Sequence, residues 1–165
     1  MLVPKRHVLC LGLLDSHEQM ELARLYSRVV FALREEYVFP GIFFEHGIVG
    51  QTINHAHLHV VPANGIITDK VGRDFPECSV TWLGKLRQFH LLCSCYTQKQ
   101  EPYLFWSDDV GAAVLWNPSA PSQYLRRVVA DALGRLERAN WQVMDPELDR
   151  RLWSETVSRL KPYFI

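Results

Sequence analysis

Apolar residues recur at helical spacing over residues 16–37, where leucine, valine and tyrosine return every three or four positions and arginines occupy the remaining surface. This pattern is typical of an amphipathic helix with one buried face. Asp15 and Ser16 are both suitable N-caps, and acidic or amide side chains follow at the positions that complete a capping box. Three further segments carry shorter or mixed helical spacing: residues 81–96, 122–140 and 147–160.

Runs of apolar residues predict two hairpins. Residues 42–46 and 54–62 form the first, because a short glycine-containing connection would let two neighbouring strands pair antiparallel. Residues 102–106 and 112–116 form the second around a polar turn, whereas residues 63–79 are rich in loop-forming residues. Together with the helices, these hairpins predict a single α+β domain: an antiparallel sheet with a long helix packed on it, followed by a C-terminal hairpin and helices.

The composition is that of an ordinary globular domain, since the 165 residues are 48% hydrophobic and 22% charged. Lysine and arginine together number 18, as do aspartate and glutamate, so the formal net charge is zero. A chain without a basic excess is not expected to bind nucleic-acid polymers, although a small anionic ligand needs only a local site. No apolar stretch is long enough for a membrane span, so no membrane association is expected.

The N-terminal residues and the cysteines predict a cytoplasmic protein. Residues 5–14 are basic and then apolar, as in a signal peptide, but no cleavage site of small residues follows and a helical pattern begins instead. The spacing of Cys10, Cys78, Cys93 and Cys95 matches neither a disulfide framework nor a Cys-x-x-Cys site. We therefore expect free, reduced thiols.

Three histidines alternate with apolar residues in the second predicted strand: His55, His57 and His59. Side chains alternate between the two faces of a strand, so the three imidazoles should share one face. Ala56 and Leu58 should then point into the core. Imidazoles are poor core residues, and their charge changes near neutral pH, so this face is the predicted centre of the chemistry.

Two kinds of site fit alternating histidines. One is a metal site, and the other is a phosphate site in which one imidazole is the nucleophile and its neighbours donate hydrogen bonds. The residues before the strand favour phosphate, because the Gly50 backbone can approach an anion closely and Gln51 and Thr52 add polar side chains. Only Glu45 and His46 are nearby candidates for further metal ligands.

Residues 50–62 resemble the signature of the histidine triad family of nucleotide hydrolases and transferases. In that signature three histidines alternate with apolar residues, and a Gly-Gln-Thr or Gly-Gln-Ser triplet precedes them. Residues 2–8 resemble the segment that leads into the long helix of the family. A looser likeness, at residues 102–104 and 122–127, is to bacterial members with a long C-terminal extension.

The resemblance implies a particular division of the chain. Residues 1–65 would be the core that carries the motif, and residues 66–165 would be the C-terminal extension of the same domain. Members usually have a further N-terminal segment that helps to enclose the base and ribose. Here either a shortened form, a misplaced start or the extension would account for its absence. The resemblance also implies that residues 2–5 form a strand and residues 8–14 a connector into the long helix, although the latter look locally like a buried strand.

The resemblance assigns unequal roles to the three histidines. His57 would attack the α-phosphorus of a nucleotide and form a nucleotidyl-histidine intermediate, with the backbone carbonyl of His55 holding its other ring N–H. His59 would contact the phosphate, and His55 would orient and support its neighbours. Gly50, Gln51 and Thr52 would surround the α-phosphate or the leaving group. No metal and no cofactor are implied, and a homodimer is possible.

Glu45 stands where many members of the family have an asparagine. It is a candidate for substrate binding, with His46 or Lys5 available to pair with its charge. The alternative is a structural carboxylate that binds nearby backbone.

A second candidate phosphate site lies at the start of the helix predicted over residues 122–140. Ser122 and Gln123 would lie at its N terminus, which favours anions, and Arg126 and Arg127 can bind phosphate through two hydrogen bonds. These residues are predicted to bind a β- or γ-phosphate, and the alternative is a solvated helix face.

The leading hypothesis is therefore a hydrolase or nucleotidyl transferase. Its substrate would be a nucleoside phosphate ester, a phosphoramidate or a dinucleoside polyphosphate. Two alternatives remain open from the sequence: a metal-dependent hydrolase with His55, His57 and His59 as ligands, and a nucleotide-binding protein without turnover.

Overall fold

A computed structural model describes residues 1–65, 67–140 and 143–165, and within them five strands form one antiparallel sheet. The strands are β1 (Ile42–Gly47), β2 (His59–Val61), β3 (Val80–Trp82), β4 (Tyr103–Ser107) and β5 (Ala112–Trp116). Their order across the sheet is β2-β1-β4-β5-β3, and every pair is antiparallel. Together with the helices this confirms the predicted α+β class.

Five α-helices lie in the described part of the chain. They are α1 (Ser16–Tyr37), α2 (Thr68–Asp74), α3 (Gln88–Lys99), α4 (Tyr124–Ala132) and α5 (Pro146–Leu160). The long helix α1 begins as predicted: the Asp15 side chain accepts from the Glu18 backbone N–H, and the Glu18 side chain accepts from the Asp15 backbone N–H. No helix among the described residues is long and apolar enough to cross a membrane.

Helices cover both faces of the sheet. On the first face, Phe105 and Val114 belong to a core that includes Leu33 of α1. On the second face, Trp106 and Leu115 belong to a core that includes residues of α2 and α4. Because both faces are covered, every residue of β4 and β5 is buried, which explains why the hairpin was visible in the sequence as two continuous apolar runs.

Three predicted segments differ from the structure. The segment predicted as helical over residues 81–96 starts instead with β3, and its helix begins only at Gln88. The helix predicted over residues 122–140 ends at Ala132, because Gly134 adopts a φ of +63° that leaves the helical region. The predicted loop over residues 63–79 contains the short helix α2.

The connection between β1 and β2 is longer than predicted. The two strands do pair antiparallel, with Phe44 opposite His59, but the connection occupies residues 48–58. Part of it is still extended, because Leu2 and Leu58 form an isolated antiparallel bridge with hydrogen bonds of 2.9 and 2.8 Å. Residues 11–13 form a 3₁₀ turn rather than a strand, in line with the connector that the resemblance implied.

Candidate active site

The alternation of the histidine segment persists although only His59 belongs to the regular strand β2. Ala56 and Leu58 are fully buried in the first core, whereas the side chains of His55 and His57 turn away from it. The imidazoles therefore share one side, as predicted, and all three line the same cavity.

That cavity has a volume of about 390 Å³, within the usual range for small-molecule sites. Its walls come from the histidine segment, the loop before it, the start of α4 and the N-terminal residues. The lining residues are Met1, Val3, His46, Gly50, Gln51, Thr52, Ile53, His55, His57, His59, Gln123 and Arg126.

The hydrogen bond of His57 determines its tautomer. Its Nδ1 lies 2.7 Å from the backbone carbonyl oxygen of His55, and a carbonyl can only accept. Nδ1 must therefore carry the proton, and Nε2 of the neutral ring holds a lone pair. A neutral imidazole with a fixed orientation and an unprotonated nitrogen is a competent nucleophile.

His55 is itself held from two sides. Its Nε2 donates to the carbonyl oxygen of Pro4 at 3.0 Å, and its ring stacks on His7 with centroids 5.1 Å apart. Its Nδ1 is buried and has no partner among the described residues. These contacts fix the backbone of His55, and with it the carbonyl that orients His57.

His59 is a neutral imidazole that lies against the His57 ring. Its ring stacks on Phe44 at 4.5 Å and meets the edge of His57 at 4.8 Å. Burial lowers the pKa of His59 to about 3, and the neighbouring His57 ring further disfavours protonation of His59. His59 can therefore donate a hydrogen bond near neutral pH without carrying a positive charge.

His46 lines the cavity as well, and the sequence analysis did not place it among the substrate-binding residues. Its Nε2 accepts the backbone N–H of Leu125 at 3.1 Å, and its ring centroid lies 6.2 Å from that of His59. Burial lowers the pKa of His46 to about 4, so this ring is also neutral. The signal that could have found it is its position on β1 two residues after Phe44, on the face that His59 shares.

Glu45 does not bind substrate in this arrangement, and that prediction is wrong. Its side chain is fully buried on the other face of the sheet, where it accepts from the Leu11 backbone N–H at 2.7 Å and from the Tyr103 hydroxyl at 2.6 Å. Neither His46 nor Lys5 pairs with it among the described contacts. Burial raises the pKa of Glu45 to about 8.

The loop before the histidines is bound to the start of α4. The Gly50 carbonyl accepts from the Gln123 backbone N–H at 3.1 Å and from the Ser122 hydroxyl at 3.4 Å. Gly50 has a φ of +67°, and a Cβ there would lie 2.7 Å from the Pro121 carbonyl oxygen, so glycine is required. Ser122 does not line the cavity, so the structure does not support its prediction as a substrate contact.

The other predicted substrate-binding residues of the loop and of the start of α4 line the cavity, but they differ in their hydrogen bonds and exposure. Gln51 lines the cavity, but its side-chain amide donates to the Leu9 carbonyl at 2.7 Å. Thr52 lines the cavity and is exposed. Gln123 also lines it, with a buried Oε1 that has no partner among the described residues.

Arg126 and Arg127 point to different sides of α4. Arg126 lines the cavity, is half-buried and donates to the Arg138 carbonyl oxygen at 3.3 Å. Its positive charge is one of the causes that lower the pKa of His59. Arg127 is exposed and lines separate surface grooves, so only one of the two arginines can reach a ligand beside the histidines.

The described side chains do not form an evident metal site. In the part of the chain that the structure describes, no three histidine, cysteine, aspartate or glutamate side chains are arranged to hold one. The alternative of a three-histidine metal site therefore has no support in this arrangement.

Compared with models of known families and with curated proteins, this chain matches none. The site must therefore be interpreted from its own residues.

Proposed function

We propose that this protein is a hydrolase or nucleotidyl transferase of the histidine triad type, with Nε2 of His57 attacking the α-phosphorus of a nucleotide. The observation that carries the proposal is the 2.7 Å bond from His57 Nδ1 to the His55 carbonyl oxygen. This bond leaves the lone pair on Nε2 and prevents the ring from rotating away. The same bond would also suit a metal ligand, but no three histidine, cysteine, aspartate or glutamate side chains among the described residues are arranged to hold a metal ion.

The chemistry would proceed in two displacements. In the first, a bond forms between His57 Nε2 and the α-phosphorus while the bond from phosphorus to the leaving group breaks, and the leaving group takes up a proton from solvent. In the second, water or another acceptor attacks the phosphorus and releases a proton to solvent, the nitrogen–phosphorus bond breaks, and the free imidazole returns. A covalent intermediate of this kind divides one difficult step into two easier ones.

The surroundings of His57 suit a phosphoryl group. Neutral His59 can donate to a phosphate oxygen, and the guanidinium of Arg126 brings positive charge to the same cavity. The apolar side chains of Val3 and Ile53 in the same cavity offer a surface for a base or another flat group. The substrate class is therefore a nucleoside phosphate ester, a phosphoramidate or a dinucleoside polyphosphate.

The test is a panel of adenylated and guanylated substrates given to the native protein and to His57→Ala, with His17→Ala as the control on the exposed surface of α1. We expect His57→Ala to lower kcat by at least about a thousandfold, because the nucleophile itself is lost. His17→Ala should retain full activity. Mass spectrometry of the native protein should detect a nucleotidyl adduct on His57.

Three results would count against the proposal. Equal turnover by the native protein and His57→Ala would remove His57 from the nucleophile role. Loss of turnover on treatment with a chelator would favour a metal-dependent hydrolase. Binding of AMP or GMP without turnover of any substrate in the panel would reduce the function to nucleotide binding.

A further inference from the structure

His46 lies outside the alternating histidine segment, yet its hydrogen bond fixes its tautomer as firmly as that of His57. Its Nε2 accepts a hydrogen bond from the Leu125 backbone N–H, which belongs to the first turn of α4 and therefore has no helical carbonyl as an acceptor. A backbone N–H can only donate, so Nε2 of His46 must hold the lone pair. The neutral ring therefore carries its proton on Nδ1.

The Nδ1–H group of His46 is not sealed in the protein interior. Among the described residues no protein acceptor contacts it, and Nδ1 is not one of the buried polar atoms that are sealed without a partner. The side chain lines the cavity beside His59. This nitrogen is therefore a donor whose acceptor is not supplied by the described protein.

We propose that His46 binds substrate: its Nδ1–H donates a hydrogen bond to a phosphate oxygen of the bound nucleotide, next to His59. The proposal rests on the proposed function in taking a nucleotide as the ligand. It gives His46 two tasks, because one nitrogen holds the first turn of α4 and the other contacts the phosphate. Helix α4 also carries Arg126, so the same imidazole links the position of that guanidinium to phosphate recognition.

The neutrality of His46 fits this role. A helix N terminus disfavours a protonated imidazole that faces it, and a neutral imidazole in that position can still act as a hydrogen-bond donor to a substrate oxygen. A donor held in place before the ligand arrives loses little by reorganisation when charge develops on the phosphate. His46 should therefore strengthen both phosphate binding and the transition state.

Two substitutions separate the two nitrogens of His46. In His46→Gln the side-chain amide reaches the position of Nε2, so an acceptor for Leu125 is kept while the Nδ1 donor is lost. In His46→Asn the shorter amide reaches the position of Nδ1, so a donor is kept while the acceptor for Leu125 is lost. Thermal unfolding of both variants measures whether the bond to α4 still contributes to stability. If His46 has only a structural role, His46→Asn should lose stability and His46→Gln should behave like the native protein.

The decisive measurement is the affinity for AMP relative to adenosine, and for GMP relative to guanosine, by titration calorimetry. We expect His46→Gln to lower the preference for the phosphorylated ligand about tenfold or more while its Tm stays close to that of the native protein. His46→Asn should have a lower Tm but keep most of that preference. Nitrogen NMR of the native protein should find the proton of His46 on Nδ1, with a shift of this resonance when AMP or GMP binds.

Several results would overturn the role of His46. They are a proton on Nε2, an unchanged phosphate preference in His46→Gln, or a native protein that binds neither nucleotide better than its nucleoside. Because these readouts need no turnover, they are separate from the test of the proposed function. A phosphate preference that depends on His46, in a protein that turns over no substrate, would support this inference while the proposed function fails.

Discussion

Glu45 and His46 are neighbours in β1 and are almost equally buried, at 0% and 4% exposure, but their side chains lie on opposite faces of the sheet. Glu45 faces the core beneath α1, where Leu11 and Tyr103 donate to its two oxygens. His46 faces α4 and lines the cavity, and only one of its nitrogens has a partner within the described part of the chain. Both oxygens of Glu45 accept from protein groups, whereas His46 keeps one N–H group without an acceptor among the described residues.

The comparison shows that burial alone does not separate structural from functional polar residues. A buried polar group is costly unless it is hydrogen-bonded, so the useful question is which of its atoms remain without a protein partner and where those atoms point. For Glu45 no such atom remains. For His46 the remaining donor belongs to a side chain that lines the cavity together with His57 and His59.

The sharpest way to test the comparison is to remove the buried carboxyl group. We expect Glu45→Ala to destabilise the fold by about 3 kcal/mol or more, because it leaves a hole and removes the acceptor for Leu11 and Tyr103. Chemical denaturation measures this loss. The folded fraction should keep its affinity for AMP or GMP, and a loss of nucleotide affinity in a fully folded variant would contradict the separation of the two faces.

The matched variant Glu45→Gln isolates the part of the pH dependence of stability that comes from the ionisation of Glu45. Because burial raises the pKa of Glu45 from 4.5 to about 8, its stabilising effect is complete below pH 4.5 and is lost as the pH rises to about 8. The glutamine cannot ionise, so its stability relative to the native protein should improve steadily as the pH rises through that window. A difference that stays constant from pH 5 to 8 would contradict the raised pKa.

A smaller effect is expected when the two arginines of α4 are replaced one at a time. Like Glu45 and His46, they are neighbours in sequence whose side chains lie on different sides. Neighbouring helical residues point about 100° apart, so Arg126 lines the cavity and Arg127 does not. Arg126→Gln should lower kcat/KM about tenfold, as expected for a lost charged hydrogen bond, while Arg127→Gln should behave like the native protein. Steady-state kinetics with one adenylated and one guanylated substrate checks this, and equal effects of the two substitutions would contradict the assignment.

An effect of similar size, on stability rather than on activity, is expected in the loop that borders the cavity. Gly50→Ala should cost about 1–2 kcal/mol of stability, because a Cβ at a φ of +67° meets the Pro121 carbonyl oxygen. Gly72→Ala is the control: it lies within α2 with no atom near the added Cβ, so a gain of roughly 0.5–1 kcal/mol is expected. Thermal unfolding of both variants measures these changes in stability. A Gly50→Ala protein as stable as Gly72→Ala would contradict the predicted strain and show that the loop can shift.

Much of the fold could be predicted because its signals are local. The capping box at Asp15 and the apolar spacing of α1 depend only on residues close in sequence, and so does the start of α5, where the Asp145 side chain accepts from backbone N–H groups. The short strand β3 could not be predicted, since its three residues are stabilised by pairing with β5, far along the chain. The early end of α4 depends on Gly134, whose presence in the pattern was compatible with a longer helix.

The site divides in the same way. Alternation alone indicated that Ala56 and Leu58 are buried and that the three histidines share one side, because side chains of extended backbone alternate by geometry. Three outcomes were decided only by the tertiary structure. Glu45 is buried against Leu11 and Tyr103. Arg126 rather than Arg127 reaches the cavity, and His46 lines it beside the three histidines of the alternating segment. These outcomes depend on which distant backbone groups meet a side chain. A single N–H from Leu125 determines the proton position of His46, and nothing within β1 specifies that contact.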